Sequence, residues 1–119
     1  MSKEDVDFLV TDSICMFGTD SLYIPGVMAM THPRAIGTFQ KILGQCVRGK
    51  GLLTLEKAIH KKTGLPALWY GLEGKGFIAQ DKDAVLVIFD PDTTDQQCTY
   101  SQPILPNKGV NYVFVRGRK

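Results

Sequence analysis

The stretch Ile14-Cys15-Met16-Phe17 is an unbroken apolar run that stops at Gly18-Thr19-Asp20. A short run with no polar alternation suits a strand buried on both faces. Such a strand leaves its backbone N–H and C=O groups unpaired unless a neighbour supplies a ladder. No second strand-like run occurs before Val85. Residues 14–18 therefore either reach forward to late strands, or find their partners in another chain or in a portion that this one lacks. The carboxylate at the mouth of the run raises a further question, because Arg34 heads a helix fourteen positions later.

The remaining elements are read from spacing. Ser2 ahead of Glu4 and Asp5 is a helix start, and Val6, Leu9 and Val10 follow at helical intervals. Ser21 to Pro33 is a loop that is unusually rich in apolar residues. Ala35 to Val47 gives the clearest helix, with Ile36, Phe39, Ile42, Leu43, Cys46 and Val47 along one face. Gly49 and Gly51 stop it. Thr54 caps a second helix over Leu55–Lys62, with Glu56 in its first turn and basic residues in its last. Pro66 at a first helical position starts a further short turn over Ala67–Tyr70.

From Gly71 the composition changes. Three glycines in "GLEGKGF" precede the apolar strand Val85–Phe89, which Asp90-Pro91 closes, and a last strand follows over Val110–Val115. Helix, strand, helices and then strands imply two packing environments.

The chain has 119 residues, enough for one modest domain with a core. Its formal net charge of +2 is scattered, and the basic clusters Lys61-Lys62 and Arg116–Lys119 suit a helix end and a solvated terminus. No basic stripe with interleaved aromatics points to nucleic acid. No apolar run approaches the ~20 residues of a membrane-spanning helix. Cys15, Cys46 and Cys98 make no C-x-x-C pair and read as free thiols, Cys15 and Cys46 in apolar settings. An odd cysteine count without a signal peptide points to the reducing cytoplasm.

Several pieces together, "CMFGTDS", "HPRAIGTFQKILG", "LLTLEKAIHKKTGLPA", "GLEGKGFIA", "AVLVIFDPDTT" and "GVNYVFVRGR", resemble the C-terminal part of the N-acyl-D-amino-acid deacylases (D-aminoacylases) of the amidohydrolase superfamily. They stand in that family's order, with family-like gaps, over nearly the whole chain. The resemblance implies an α/β fold: the end of a metal-dependent (β/α)8 barrel, with its last strand and following helices, plus strands of a small β-sandwich. Residues 14–18 would be the eighth barrel strand, and residues from about Gly74 the returning sandwich strands. A complete barrel takes ~250 residues, so this chain would be roughly the last quarter of a deacylase. The final hairpin would be cut where the family continues into another strand.

The resemblance also implies roles. The Asp of "GTDS", Asp20, would take a proton from metal-bound water and pass it to the leaving amine. Read without the resemblance, Asp20 is a turn or cap residue. Arg34 of "HPR" would hold the substrate's α-carboxylate, a task that suits a planar fork. Its competing reading is an Arg that caps or pairs at a helix start. Leu22, Tyr23, Ile24, Val27, Met28 and Met30 would line an acyl or side-chain pocket, or else form interface packing.

His32 and His60 are the only histidines. A deacylase of this kind needs several, including an early H-x-H, so zinc would be held by the complete enzyme and no metal ligand is assigned within this chain. His60 reads as surface, and His32 as part of the turn that positions Arg34. The sequence "QDKDAVLVIF" departs from the family's "G-x-x-A-D-L-V": Val85 stands at the Asp position and the turn Gly is missing. That departure weakens one corner of the implied sandwich.

Two readings follow. In the first, the chain is the C-terminal portion of a hydrolase that cleaves N-acyl-D-amino acids. It would be silent alone and completed by an N-terminal barrel partner. In the second, it is a non-catalytic remnant or association domain that self-associates through the edge at Val110–Val115.

Overall fold

The first helix forms where local chemistry closes a capping box. In the computed structural model, which describes residues 2–22 and 31–119, Ser2 Oγ accepts the Asp5 N–H at 3.1 Å, and Asp5 Oδ2 accepts the Ser2 N–H at 2.8 Å. Helix α1 then runs over Lys3–Thr11. Among its apolar residues only Val10 is buried, while Val6 and Leu9 stay largely exposed.

Residues 14–18 form no ladder with any described residue, and Ile14 lies in a turn. Ile14 is 71% exposed, and its N–H turns back to Asp12 Oδ1 at 2.9 Å. The expected strand is therefore corrected to a segment that pairs with no described residue. The physical reason is that a strand exists only through its neighbour, and the late strands pair with each other. Of the two ways to satisfy this run, the forward reach to the late strands is not the one adopted here.

Helix α2 spans Arg34–Lys41 and passes without a break into a π-helix over Ile42–Gly49. The apolar face foreseen from the spacing is the one that packs: Ile42, Leu43 and Cys46 are buried, and Val47 packs against them. Helix α3, Leu55–Lys62, begins at the Thr54 cap, whose hydroxyl accepts the Lys57 N–H at 3.3 Å. Such a cap is worth about 1 kcal/mol. Helix α4 covers Gly64–Trp69, so it starts two residues before Pro66. The core consists of Val10, Ile42, Leu43, Cys46, Leu53 and Ala58, with Phe17 and Phe89 packed against it.

Strands β1, Leu86–Phe89, and β2, Val110–Phe114, pair antiparallel, with Leu86 opposite Phe114 and Ile88 opposite Tyr112. A bulge lies between Ile88 and Phe89. Val85 falls just outside the strand. Consecutive residues of β1 are exposed, Val87 at 54% and Ile88 at 49%, and consecutive strand residues point to opposite faces. Both faces of this two-stranded sheet thus leave apolar residues exposed, while Phe89 packs against the core.

The loop between the strands is sewn to the helices. Arg48 Nη1 donates to the carbonyls of Pro91 and Thr94 at 2.9 and 2.8 Å. Asn107 Nδ2 donates to the Ile36 carbonyl at 2.9 Å. Gly37 faces Gln96, and Gly44 faces the Asp95 carboxylate so closely that a Cβ there would run into it.

Candidate functional site

Asp20 follows the 14–18 segment with φ +42°, a left-handed conformation that Asp adopts more readily than most residues. Its side chain is 99% exposed. Arg34 is the first residue of α2, and its Nη2 lies 3.7 Å from Asp20 Oδ2. The two residues singled out in the sequence are therefore side by side.

The contact joins one nitrogen to one oxygen, beyond hydrogen-bond reach, and uses neither the fork of the guanidinium nor both carboxylate oxygens. An exposed pair of this kind contributes about 0–1 kcal/mol to stability. It does little to hold the fold, and it leaves a cation and an anion open to solvent at one spot.

The start of α2 is capped in an unusual way. Pro33 occupies the cap position and offers no side-chain acceptor. Instead His32 Nδ1 accepts the Arg34 N–H at 3.0 Å, and the His32 carbonyl accepts the Ala35 N–H at 2.9 Å. The His32 ring meets Tyr100 edge to face, with centroids 5.2 Å apart and planes at 82°. Thr38 Oγ1 donates to the Arg34 carbonyl at 2.7 Å, which closes the first turn. Tyr100 escaped the sequence reading because it lies in an irregular loop with no periodic signal. Of the loop proposed as a pocket, Tyr23 to Met30 lie outside the described residues, and Leu22 is exposed.

A concavity of about 860 Å³ opens between α3, α4 and β1, lined by Leu55, Ile59, Phe77, Leu86 and Phe89. Lys62 borders it, and burial lowers its amine to about 8. The Lys62 Nζ donates to the Phe39 carbonyl at 3.1 Å. Neither Asp20 nor Arg34 lines this groove.

Zinc does not fit the donors at hand. Among the described residues no three His, Cys, Asp or Glu side chains come together as a group able to hold a metal ion. Nor is any helix of the described residues long and apolar enough to cross a membrane.

Comparisons with known proteins agree along the whole chain. The family model "Amidohydrolase family" matches residues 4–119. The chain is 40% identical over its full length to an N-acyl-D-aspartate deacylase of Alcaligenes xylosoxydans xylosoxydans, covering 23% of that protein. It is 39% identical, over 98% of its length, to an N-acyl-D-glutamate deacylase of the same organism, again covering 23% of it. Among solved structures, it is similar to N-acyl-D-glutamate deacylase from Bordetella bronchiseptica, complexed with zinc and a phosphonate inhibitor. The TM-score is 0.92 and the identity 36%, over 99% of this chain and 24% of the other. The chain thus spans about a quarter of the length of the relatives it matches. With a family model that accounts for all but its first three residues, the chain belongs to the amidohydrolase family.

Proposed function

We propose that this chain is the C-terminal portion of a hydrolase that cleaves the amide bond of N-acyl-D-amino acids. The observation that carries the reading is the meeting of Asp20 and Arg34 at 3.7 Å, from positions fourteen residues apart. In the complete enzyme the Asp20 carboxylate accepts a proton from the attacking water and returns it to the leaving nitrogen. Arg34 presents its fork to the substrate α-carboxylate, which a single-pronged contact with Asp20 leaves room to do. The metal of that enzyme would be held by residues outside this chain. Residues 1–73 would form the end of the barrel and 74–119 part of the sandwich. The free thiols Cys15, Cys46 and Cys98 suit a reducing, cytoplasmic setting.

Alone, the chain is catalytically silent in this reading. The test is complementation: the chain mixed with a supplied N-terminal portion of a deacylase, assayed on N-acyl-D-aspartate and N-acyl-D-glutamate. Activity from the mixture and from neither part alone supports the proposal; a mixture that binds but never turns over refutes it.

The exposed apolar residues of β1 and β2 favour a second reading, an association domain without catalysis. Self-association that persists in the presence of the N-terminal portion, with no complex between the two, would select it.

A further inference from the structure

We infer that His32 is the residue that positions Arg34, acting as a neutral imidazole that caps α2 through Nδ1 and is steadied by Tyr100. Its functional meaning rests on the reading of Arg34 as substrate anchor; the cap itself does not.

A helix leaves its first N–H groups without partners, and a side chain at the cap position usually supplies one. Pro33 has none to give, so the Arg34 N–H goes to the imidazole one residue further back, at 3.0 Å. That bond fixes the tautomer. A ring that accepts at Nδ1 and is neutral carries its proton on Nε2.

The same chemistry excludes a second use of this histidine. A metal ion takes the lone pair of the ring nitrogen it binds, and the other nitrogen then carries the hydrogen. Metal on Nε2 would place hydrogen on Nδ1 and cost the Arg34 bond. Capping and ligating are therefore alternatives for a neutral His32, and the geometry selects the cap.

Tyr100 supplies the second constraint. His32 and Tyr100 are both exposed, so their edge-to-face contact at 5.2 Å is not a by-product of core burial. It restrains the imidazole plane from a loop far along the chain. With the Arg34 amide fixed, the direction in which its side chain leaves the backbone is fixed too, and that direction leads to Asp20.

The test uses the full chain labelled with nitrogen-15. His32 should show hydrogen on Nε2 and a bare Nδ1 coupled to the Arg34 amide across the hydrogen bond. Asn places an oxygen where Nδ1 stands, and Gln places one near Nε2. His32→Asn should therefore keep the Arg34 amide protected from exchange, while His32→Gln and His32→Leu lose protection by about tenfold, the worth of one hydrogen bond. Tyr100→Ala should reduce it less. Zinc chloride added to the chain should leave the Nε2 hydrogen in place. Hydrogen on Nδ1 in the parent chain would overturn the inference even if no variant folded. So would rescue by Gln rather than Asn, full protection in His32→Leu, or displacement of the Nε2 hydrogen by zinc. If the cap behaves as described but Arg34→Lys leaves substrate affinity intact in the complemented enzyme, the anchor reading fails and the cap stands.

Discussion

Lys61, on α3, donates its Nζ to the carbonyl of Val10 at 2.6 Å and also to that of Asp12, so a buried ammonium closes the C-terminal end of α1. It lies over the Phe17 ring, 5.1 Å from the centroid. Burial pulls its amine below the ordinary lysine range, with nearby Cys15 and Asp12 opposing. Lys61→Met keeps the length but strands two carbonyls, each costing about 1–3 kcal/mol when buried without a partner. Removing the desolvated charge offsets part of that. Urea unfolding should show a net loss of about 1–3 kcal/mol, and an unchanged midpoint would count against the closing role.

Lys62 gives a pH signature. Its folded amine titrates at about 8, through burial, whereas an unfolded lysine titrates near ~10.4. Between those values the unfolded chain holds a proton that the folded chain has released, so stability should rise with pH across the window. Below about 8 the cost of the buried charge is present in full. The rise is at most about 3 kcal/mol, at ~1.4 kcal/mol per unit. Cys46 works the other way, since burial raises its thiol and its contribution falls as pH climbs. Urea midpoints between about pH 7 and 10.5 should therefore rise less steeply in Lys62→Met, with Lys61 keeping a rise of its own; equal slopes in both chains would refute this.

Self-association should follow from the exposed apolar residues of the sheet. Val87 and Val113 face each other across the ladder, 54% and 48% exposed, and no described residue extends the sheet beyond its two strands. Light scattering at micromolar concentration should report dimers or larger species, and Val113→Lys should shift them toward monomer. A monodisperse monomer that unfolds cooperatively would contradict the expectation.

In a complemented enzyme, Asp20 and Arg34 should separate kinetically. Asp20→Asn tolerates the left-handed backbone and removes the proton acceptor, so kcat should fall by ~10²–10⁴ with KM little changed. Arg34→Lys keeps the charge but loses the fork, so KM should rise while kcat is largely kept. Near-normal turnover in Asp20→Asn would return that residue to a plain turn.

Elemental analysis of the purified chain should find less than one zinc per molecule, because its described side chains form no metal-holding group. One tightly bound, stoichiometric zinc would show that donors assemble in a way the described residues do not.

What was legible in the sequence was what neighbours along the chain decide. The Thr54 cap, the bounds of α3 and the packed face of Ile42, Leu43 and Cys46 all follow from local spacing. Residues 14–18 pair with no described residue because an apolar pattern specifies an environment, and the described residues do not provide one. The π-helix over Ile42–Gly49 left no trace in periodicity, since an apolar face drifts little over so short a run. Asp20 and Arg34 were found through motif resemblance. Their nearness, and the part of Tyr100, required a fold to bring distant segments together.

The seam at Gly37 and Gly44 has a consequence for recombination. A crossover near residue 73 follows the order of elements, yet it would give Gly44 a foreign partner in place of Asp95, and Arg48 foreign carbonyls in place of Pro91 and Thr94. Chimeras joined upstream of Arg34 would inherit both sides of the seam from one parent, and those are the hybrids that should stay soluble.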